Sequence, residues 1–157
     1  MLWFWMVVFA IFGADQMAKI FIKNNISEFF KVDTIIPFFK ITHVKNYGAA
    51  LGILNSSRWI LVAITAAFII YFLYLIIIKK IKNKLFVLSA AFIVGGGISN
   101  LFDRVLYGYV IDYLSVSFFP PICNLADYFI SAGVVLLSAY VFKPAKKGSR
   151  YDDFRRI

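Results

Sequence analysis

Residues 59–78 carry no charged side chain, and that run decides what kind of protein this chain can be. A helix rises ~1.5 Å per residue, so about 20 such residues cross the hydrocarbon core of a bilayer. Residues 85–102 are also free of charge, and residues 2–22 and roughly 122–142 pass the same length test. Composition agrees: the chain is 62% hydrophobic and 16% charged, where a soluble domain is about half apolar and about a quarter charged. It cannot clothe itself in a polar surface, which excludes a soluble globular enzyme and intrinsic disorder. Four spans use about half of the 157 residues and leave no room for a second domain of ordinary size. The expectation is one integral membrane domain over 1–157, an all-α membrane fold built as a four-transmembrane-helix bundle.

The first run looks at a glance like a signal peptide. It lacks a basic leading region and a small-residue cleavage site, however, and it carries Asp15 and Lys19, so it reads as a retained helix. The net charge of +9 would suggest nucleic acid in a soluble protein. Here the basic residues flank apolar runs, which makes the membrane surface the partner instead. Residues 79–84 hold four Lys, and the tail 143–157 holds Lys143, Lys146, Lys147, Arg150, Arg155 and Arg156. With four spans these basic stretches share one side, and the positive-inside rule makes it the cytoplasm. Both termini then lie inside, and loops 23–58 and 103–121 lie outside. In the first outer loop, residues 30–44 mix β-branched and aromatic residues around Pro37, which predicts two short strands in a small sheet on the membrane surface.

Ionisable and amide side chains are costly inside a bilayer, so their depth is informative. Asp15 and Lys19 fall in the outer half of the first span at i, i+4 spacing and can neutralise each other. Asn100, Asp103 and Arg104 close the third span, Asn124 and Asp127 open the fourth, and Asn46 and Asp112 lie in the outer loops. All of these converge on one leaflet boundary. The inner half offers little beyond Thr65, Ser89 and Ser138, which is no polar path for a channel or transporter. The layout is a site at one interface with an apolar floor beneath it.

Asp112 and Asp127 are separated by a loop containing Pro120-Pro121, long enough to reverse the chain. Two carboxylates brought together in low dielectric cannot both ionise easily. The ionised member can activate water while the protonated one polarises a carbonyl, which is the logic of aspartyl proteolysis. Simpler roles stand beside this one. Asp103-Arg104 reads as an interfacial ion pair, Asp15 and Lys19 as a structural pair, and Gly95-Gly96-Gly97 as a close helix-packing surface. Asn46-Tyr47-Gly48 is either a turn or a substrate contact, and His43 is a strand or loop histidine. One His and one Cys exclude a His-rich metal site and an intramolecular disulfide. Cys123 has no base beside it for thiol catalysis. Two carboxylates with an Asn could alternatively hold a divalent cation.

At these residues the chain resembles the signal peptidase II family, the prolipoprotein signal peptidases. The matching motifs are Asp15-Gln16-x-x-Lys19, Asn46-x-Gly48-Ala49-Ala50-x-Gly52, Gly95-Gly96 through Asn100-Leu101-x-Asp103-Arg104, Val110-Ile111-Asp112-Tyr113 and Asn124-Leu125-Ala126-Asp127. They occur in family order over nearly the whole chain. Leu51 stands where an aromatic residue is expected, Ser99 where Gly is usual and Cys123 where Phe is common, and the segment from Asp112 to Asp127 is short. The resemblance implies a metal-independent aspartyl endopeptidase of the bacterial cytoplasmic (inner) membrane, without cofactor. Such enzymes cut lipoprotein precursors just before a diacylglyceryl-modified Cys. It implies Asp112 and Asp127 as the catalytic pair. Asp15, Lys19, Asn46, Gly48, Asn100, Asp103, Arg104 and Asn124 match positions that support the site or contact substrate. It further implies a small β-sheet on the outer surface, lipidated prolipoproteins and membrane lipids as partners, and sensitivity to the cyclic peptide globomycin. The chain is expected to act as a monomer. The competing expectation is a non-enzymatic four-helix membrane protein that binds lipid or assists assembly, its outer polar cluster merely holding helices together.

Overall fold

The computed structural model describes residues 1–48 and 57–142. Residues 49–52 of the second motif, Leu51 included, and the basic tail 143–157 lie outside the described residues. Four long helices dominate: α1 (Leu2–Asn25), α2 (Arg58–Leu73), α3 (Lys84–Leu106) and α4 (Leu125–Phe142). A π-helical turn over Tyr74–Ile78 continues α2, and every helix is long and apolar enough to cross a membrane. Two of them outrun the apolar runs that forecast them. α1 continues to Asn25, and α3 continues past Phe102 through Asp103 and Arg104, because neither charge faces lipid unpaired.

α3 is the central helix, and its glycines show why. An added Cβ at Gly95 would lie 3.1 Å from Ile11 Cβ on α1. At Gly96 it would lie 2.5 Å from the Ala126 carbonyl oxygen of α4, and at Gly97 3.5 Å from Ile69 Cγ1 on α2. Successive helix positions turn by about 100°, so three consecutive glycines present one bare face to each neighbour. Gly133 returns the contact from α4, where a Cβ would meet Ile93 Cγ1 at 2.7 Å. Phe4, Val8, Phe72, Ile76, Phe86 and Val94 fill the end of the bundle away from the sheet. This is the apolar floor.

At the other end lies an antiparallel sheet in the order β1 (Lys31–Asp33), β2 (Phe39–Asn46), β3 (Val110–Val116), β4 (Phe119–Cys123). The first outer loop supplies only half of it, with Pro37 in the turn between β1 and β2. β3 and β4 come from the segment read from sequence as a second outer loop, and Asp112 therefore stands on a strand. A lone two-stranded hairpin is marginal, and pairing β2 with β3 covers its edge. Pro120 and Pro121 fall in β4, at the sheet's edge, where missing N–H donors cost least. The β4 segment also takes up residue 122 and Cys123, so α4 begins only at Leu125.

Candidate active site

The site grows from the N-terminus of α4, where the first N–H groups have no partner within the helix. Each finds one outside it. Leu125 N–H donates to the Tyr113 hydroxyl (3.2 Å), Ala126 N–H to Asp15 Oδ1 (3.0 Å) and Asp127 N–H to Asn124 Oδ1 (2.9 Å). The last bond is reciprocated, because Asn124 N–H donates to Asp127 Oδ2 at 3.1 Å. Asn124 and Asp127 thus form a capping box, and the helix start itself fixes where the Asp127 carboxylate points.

Asn124 also reaches across to β3. Its Nδ2 donates to Asp112 Oδ1 (2.7 Å) and to Asn100 Oδ1 (3.2 Å). Asn100 Oδ1 accepts a second bond from Lys19 Nζ (2.9 Å), which leaves Asn100 Nδ2 to donate to Asp127 Oδ1 at 2.8 Å. On the far side, Asn46 Nδ2 donates to Asp112 Oδ2 (2.7 Å) while its Oδ1 accepts from Gly48 N–H (2.9 Å). Each carboxylate is therefore held at both oxygens, and the amides between them have their orientations set by unlike partners at their two ends. Arg104 Nη2 donates to the Gly48 carbonyl (2.9 Å), and its positive charge lies near both carboxylates.

Beneath the carboxylates lies a buried ion cluster. Lys19, 1% exposed, contacts Asp15 Oδ2 at 2.6 Å and Asp103 Oδ2 at 2.8 Å. With Asn100 these account for all three ammonium donors. Asp103 pairs here with Lys19, not with its neighbour Arg104 as the sequence suggested. Adjacent helical residues point about 100° apart, so Asp103 turns to α1 while Arg104 turns to the loop after β2.

A cavity of about 720 Å³ opens over this network. Asn46, Asn100, Arg104, Asp112, Asn124 and Asp127 form its polar wall, and Phe119, Pro120, Ile122 and Ile130 are among the apolar residues lining it. Burial, and then the charge of Asp127, push the Asp112 carboxyl up to about 7, against the hydrogen bonds from Asn46 and Asn124 and the attraction of Lys19. Burial likewise pushes the Cys123 thiol, in the cavity wall, up to about 11, so it stays protonated near neutrality. Among the described residues no group of three or more His, Cys, Asp and Glu is placed to hold a metal ion.

All ten residues singled out from sequence meet in this one network. Three partners were given no role there. Gln16 Nε2 donates to Asp103 Oδ1 (2.9 Å) and to Ser99 Oγ (2.8 Å), and Ser99 Oγ donates to Asp15 Oδ2 (2.6 Å). Tyr113 OH donates to Asp15 Oδ1 (3.4 Å) while accepting from Leu125 N–H. Gln16 and Tyr113 each adjoin a carboxylate in a motif, the one available signal. Ser99 was visible only as a departure, and its hydroxyl is what occupies the space beside Asp15.

Comparison with known proteins gives concordant matches. The family model described as signal peptidase (SPase) II matches residues 7–143. A lipoprotein signal peptidase of Halothermothrix orenii is 35% identical over 144 residues, covering 92% of this chain and 98% of that protein. One from Listeria welshimeri is 37% identical over 150 residues, covering 93% and 97%. A solved bacterial membrane enzyme superposes with a TM-score of 0.82 at 28% identity, over 92% of this chain and 93% of its own.

Proposed function

The chain belongs to the signal peptidase II family, and on that premise we propose that it is an aspartyl endopeptidase whose catalytic pair is Asp112 and Asp127. It is a multi-pass membrane peptidase that removes signal peptides from lipoprotein precursors. Family membership sets aside the non-enzymatic alternative. The substrate is a prolipoprotein, cut on the N-terminal side of its diacylglyceryl-modified Cys.

The observation that carries the aspartyl reading is the joining of Asp112 and Asp127 through Asn124 in one cavity, at the polar end of four bilayer-length helices. Asp112, whose carboxyl titrates near neutrality, keeps the proton that the pair shares, and Asp127 is the base. Asp127 removes a proton from water as its oxygen attacks the carbonyl carbon of the bond before the Cys. Asp112 donates its hydrogen to the carbonyl oxygen, which stabilises the developing negative charge. On collapse the C–N bond breaks, the Cys nitrogen takes up the proton held by Asp127, and the proton on the former carbonyl oxygen returns to Asp112. Asn46, Asn100 and Asn124 keep both carboxylates aimed, and Arg104, in the cavity wall, holds the Gly48 carbonyl. Asp15, Lys19 and Asp103 lock α1 to α3 and α4 beneath them.

A lipidated Cys keeps its acyl chains in the bilayer and presents its peptide bond at the interface, so a site at that depth needs no polar path across the membrane. The distribution of Lys and Arg supports both termini in the cytoplasm and the sheet and site at the outer leaflet, and membership of the family supports a bacterial cytoplasmic membrane as the location. The enzyme acts as a monomer in contact with membrane lipid, and globomycin-type peptides occupy the same cavity.

The test is cleavage of a diacylglyceryl-modified prolipoprotein by purified protein in detergent with chelator present. Wild type should release the signal peptide, and unlipidated precursor should stay intact. Asp112→Asn and Asp127→Asn should each fold and lose about 10²–10⁴-fold in rate, the usual contribution of a general acid or base. Full activity in either variant would remove that residue from the pair, and loss of cleavage with chelator would favour a cation site.

A further inference from the structure

The ladder between β2 and β3 changes register once. Phe39, Lys40 and Ile41 face Val116, Ser115 and Leu114, whereas Val44, Lys45 and Asn46 face Asp112, Ile111 and Val110. Thr42 and His43 therefore stand together opposite Tyr113 alone, which is a β-bulge. Directly paired residues share a face of the sheet, and faces alternate along a strand. Without the extra residue Asp112 would face His43, and Lys45 rather than Asn46 would lie on its side. The bulge is what brings Asn46 onto the face of Asp112, to the 2.7 Å hydrogen bond described above.

His43 fastens the bulge. A carbonyl can only accept, so His43 Nδ1 carries a proton and donates it to Ile26 O at 2.9 Å, at the C-cap of α1. The His43 carbonyl accepts from Phe29 N–H at 2.9 Å, where Phe29 is held at φ 65°. The turn leaving α1 is thus gripped by one residue at both ends. His43 Nε2 and Thr42 Oγ1 are both buried and find no hydrogen-bond partner among the described residues. Burying such atoms is costly, and the fold tolerates that cost at the bulge. α1 is also the helix that carries Asp15 and Lys19, so the register of β2 is referenced to the helix that anchors the rest of the site.

We propose that His43 is a positioning residue for the peptidase, acting through the bulge to hold Asn46 against Asp112. It rests on the aspartyl reading above and adds to it a residue that touches neither carboxylate. The test compares His43→Leu, His43→Phe and His43→Asn, each alone and with Asn46→Ala, in the lipidated-precursor assay. His43→Phe keeps a ring without the donor, and His43→Asn places an amide N–H near the Nδ1 position.

A hydrogen bond to a charged or titrating group supports roughly a 10- to 100-fold effect, so His43→Leu and His43→Phe should lower kcat by about that factor. KM should change less than about twofold, and His43→Asn should recover most of the rate. In the Asn46→Ala background the same His43 substitutions should cost about twofold or less, because the contact they disturb is already gone. Equal fold-losses in both backgrounds, or a His43→Asn variant no better than His43→Phe, would overturn the proposal. So would loss of the folded state by both Leu and Phe variants, which would make His43 a general determinant of folding. Wild-type protein in the same assay separates the two ideas. If it fails to cleave, the peptidase reading fails. If it cleaves and the His43 variants are indifferent, only this assignment does.

Discussion

Asp112 is 2% exposed, and its carboxyl is pushed up to about 7 by burial first and by Asp127 second. In an unfolded chain the same group titrates at about 4. Between about pH 4 and pH 7 the native state therefore holds a proton that the unfolded state has released. This contribution to stability falls as pH rises through that window and levels off above it. Melting in detergent should show a steeper fall with pH for wild type than for Asp112→Asn, and equal slopes would contradict the shift. Asn46 opposes the rise, so Asn46→Ala should move the pH–activity limb near neutrality toward alkaline pH. Lys19 poses a different problem, since Lys19→Met leaves Asp15 and Asp103 buried without their shared cation. Breaking a buried pair from one side costs about 3–5 kcal/mol. Lys19→Met should melt well below wild type, and adding Asp103→Asn should restore part of the loss. These residues were legible in sequence because a charge in a bilayer is rare. The i, i+4 pairing of Asp15 with Lys19 was legible too, but the place of Asp103 in it was not, since Asp103 chooses Lys19 over the adjacent Arg104 through helix rotation alone.

Elements carry the site through backbone proximity. α3 meets its three neighbours across Gly95, Gly96 and Gly97, and the spacings differ enough to predict different outcomes. A Cβ at Gly96 would lie 2.5 Å from a backbone oxygen in the first turn of α4, which carries Asp127. Gly96→Ala must displace that turn, and overpacking of this kind costs about 1–3 kcal/mol. Cleavage should fall with it, by more than the loss of stability explains. The nearest atoms to a Cβ at Gly97 are Ile69 and Thr65 side-chain atoms at ordinary contact distance, so Gly97→Ala should melt within about 0.5 kcal/mol of wild type with full activity. Similar behaviour of the two variants would show that α3 and α4 are not this close. The glycine run was readable as a packing surface. Which glycine faces which helix follows from the phase of α3, which an all-apolar helix does not encode in its hydrophobic pattern.

For the whole molecule the open quantity is its sense in the membrane. The site and sheet lie at the end where α1 and α3 finish and α4 begins, and the four-Lys connection between α2 and α3 lies at the other. In a Cys123→Ser background, a cysteine at Ile35 should react in intact cells with a membrane-impermeant thiol reagent. One at Lys82 should react only after the membrane is opened. The reverse pattern would invert the topology and place cleavage in the cytoplasm. The helix count and the polar end could be read in advance because a bilayer restricts a chain to rules that act along one axis. A span needs length, and a charge needs a boundary or a partner.

The sequence alone determined the four spans, the polar end of the bundle and the ten residues that gather there, since each follows from position along the membrane normal or from a short motif. Tertiary structure decided the rest. It drew β3 and β4 into one sheet with β1 and β2, brought Asp103 and Asn100 to the Asp15–Lys19 pair, and placed Ser99, Tyr113 and the amides of α4 around Asp15. It also inserted the bulge at Thr42–His43 that turns Asn46 toward Asp112. These outcomes depend on the rotation of helices about their own axes and on a one-residue shift between strands far apart in the chain. Neither leaves a trace in local composition or periodicity, because both are settled by which side chains fit together once the elements meet.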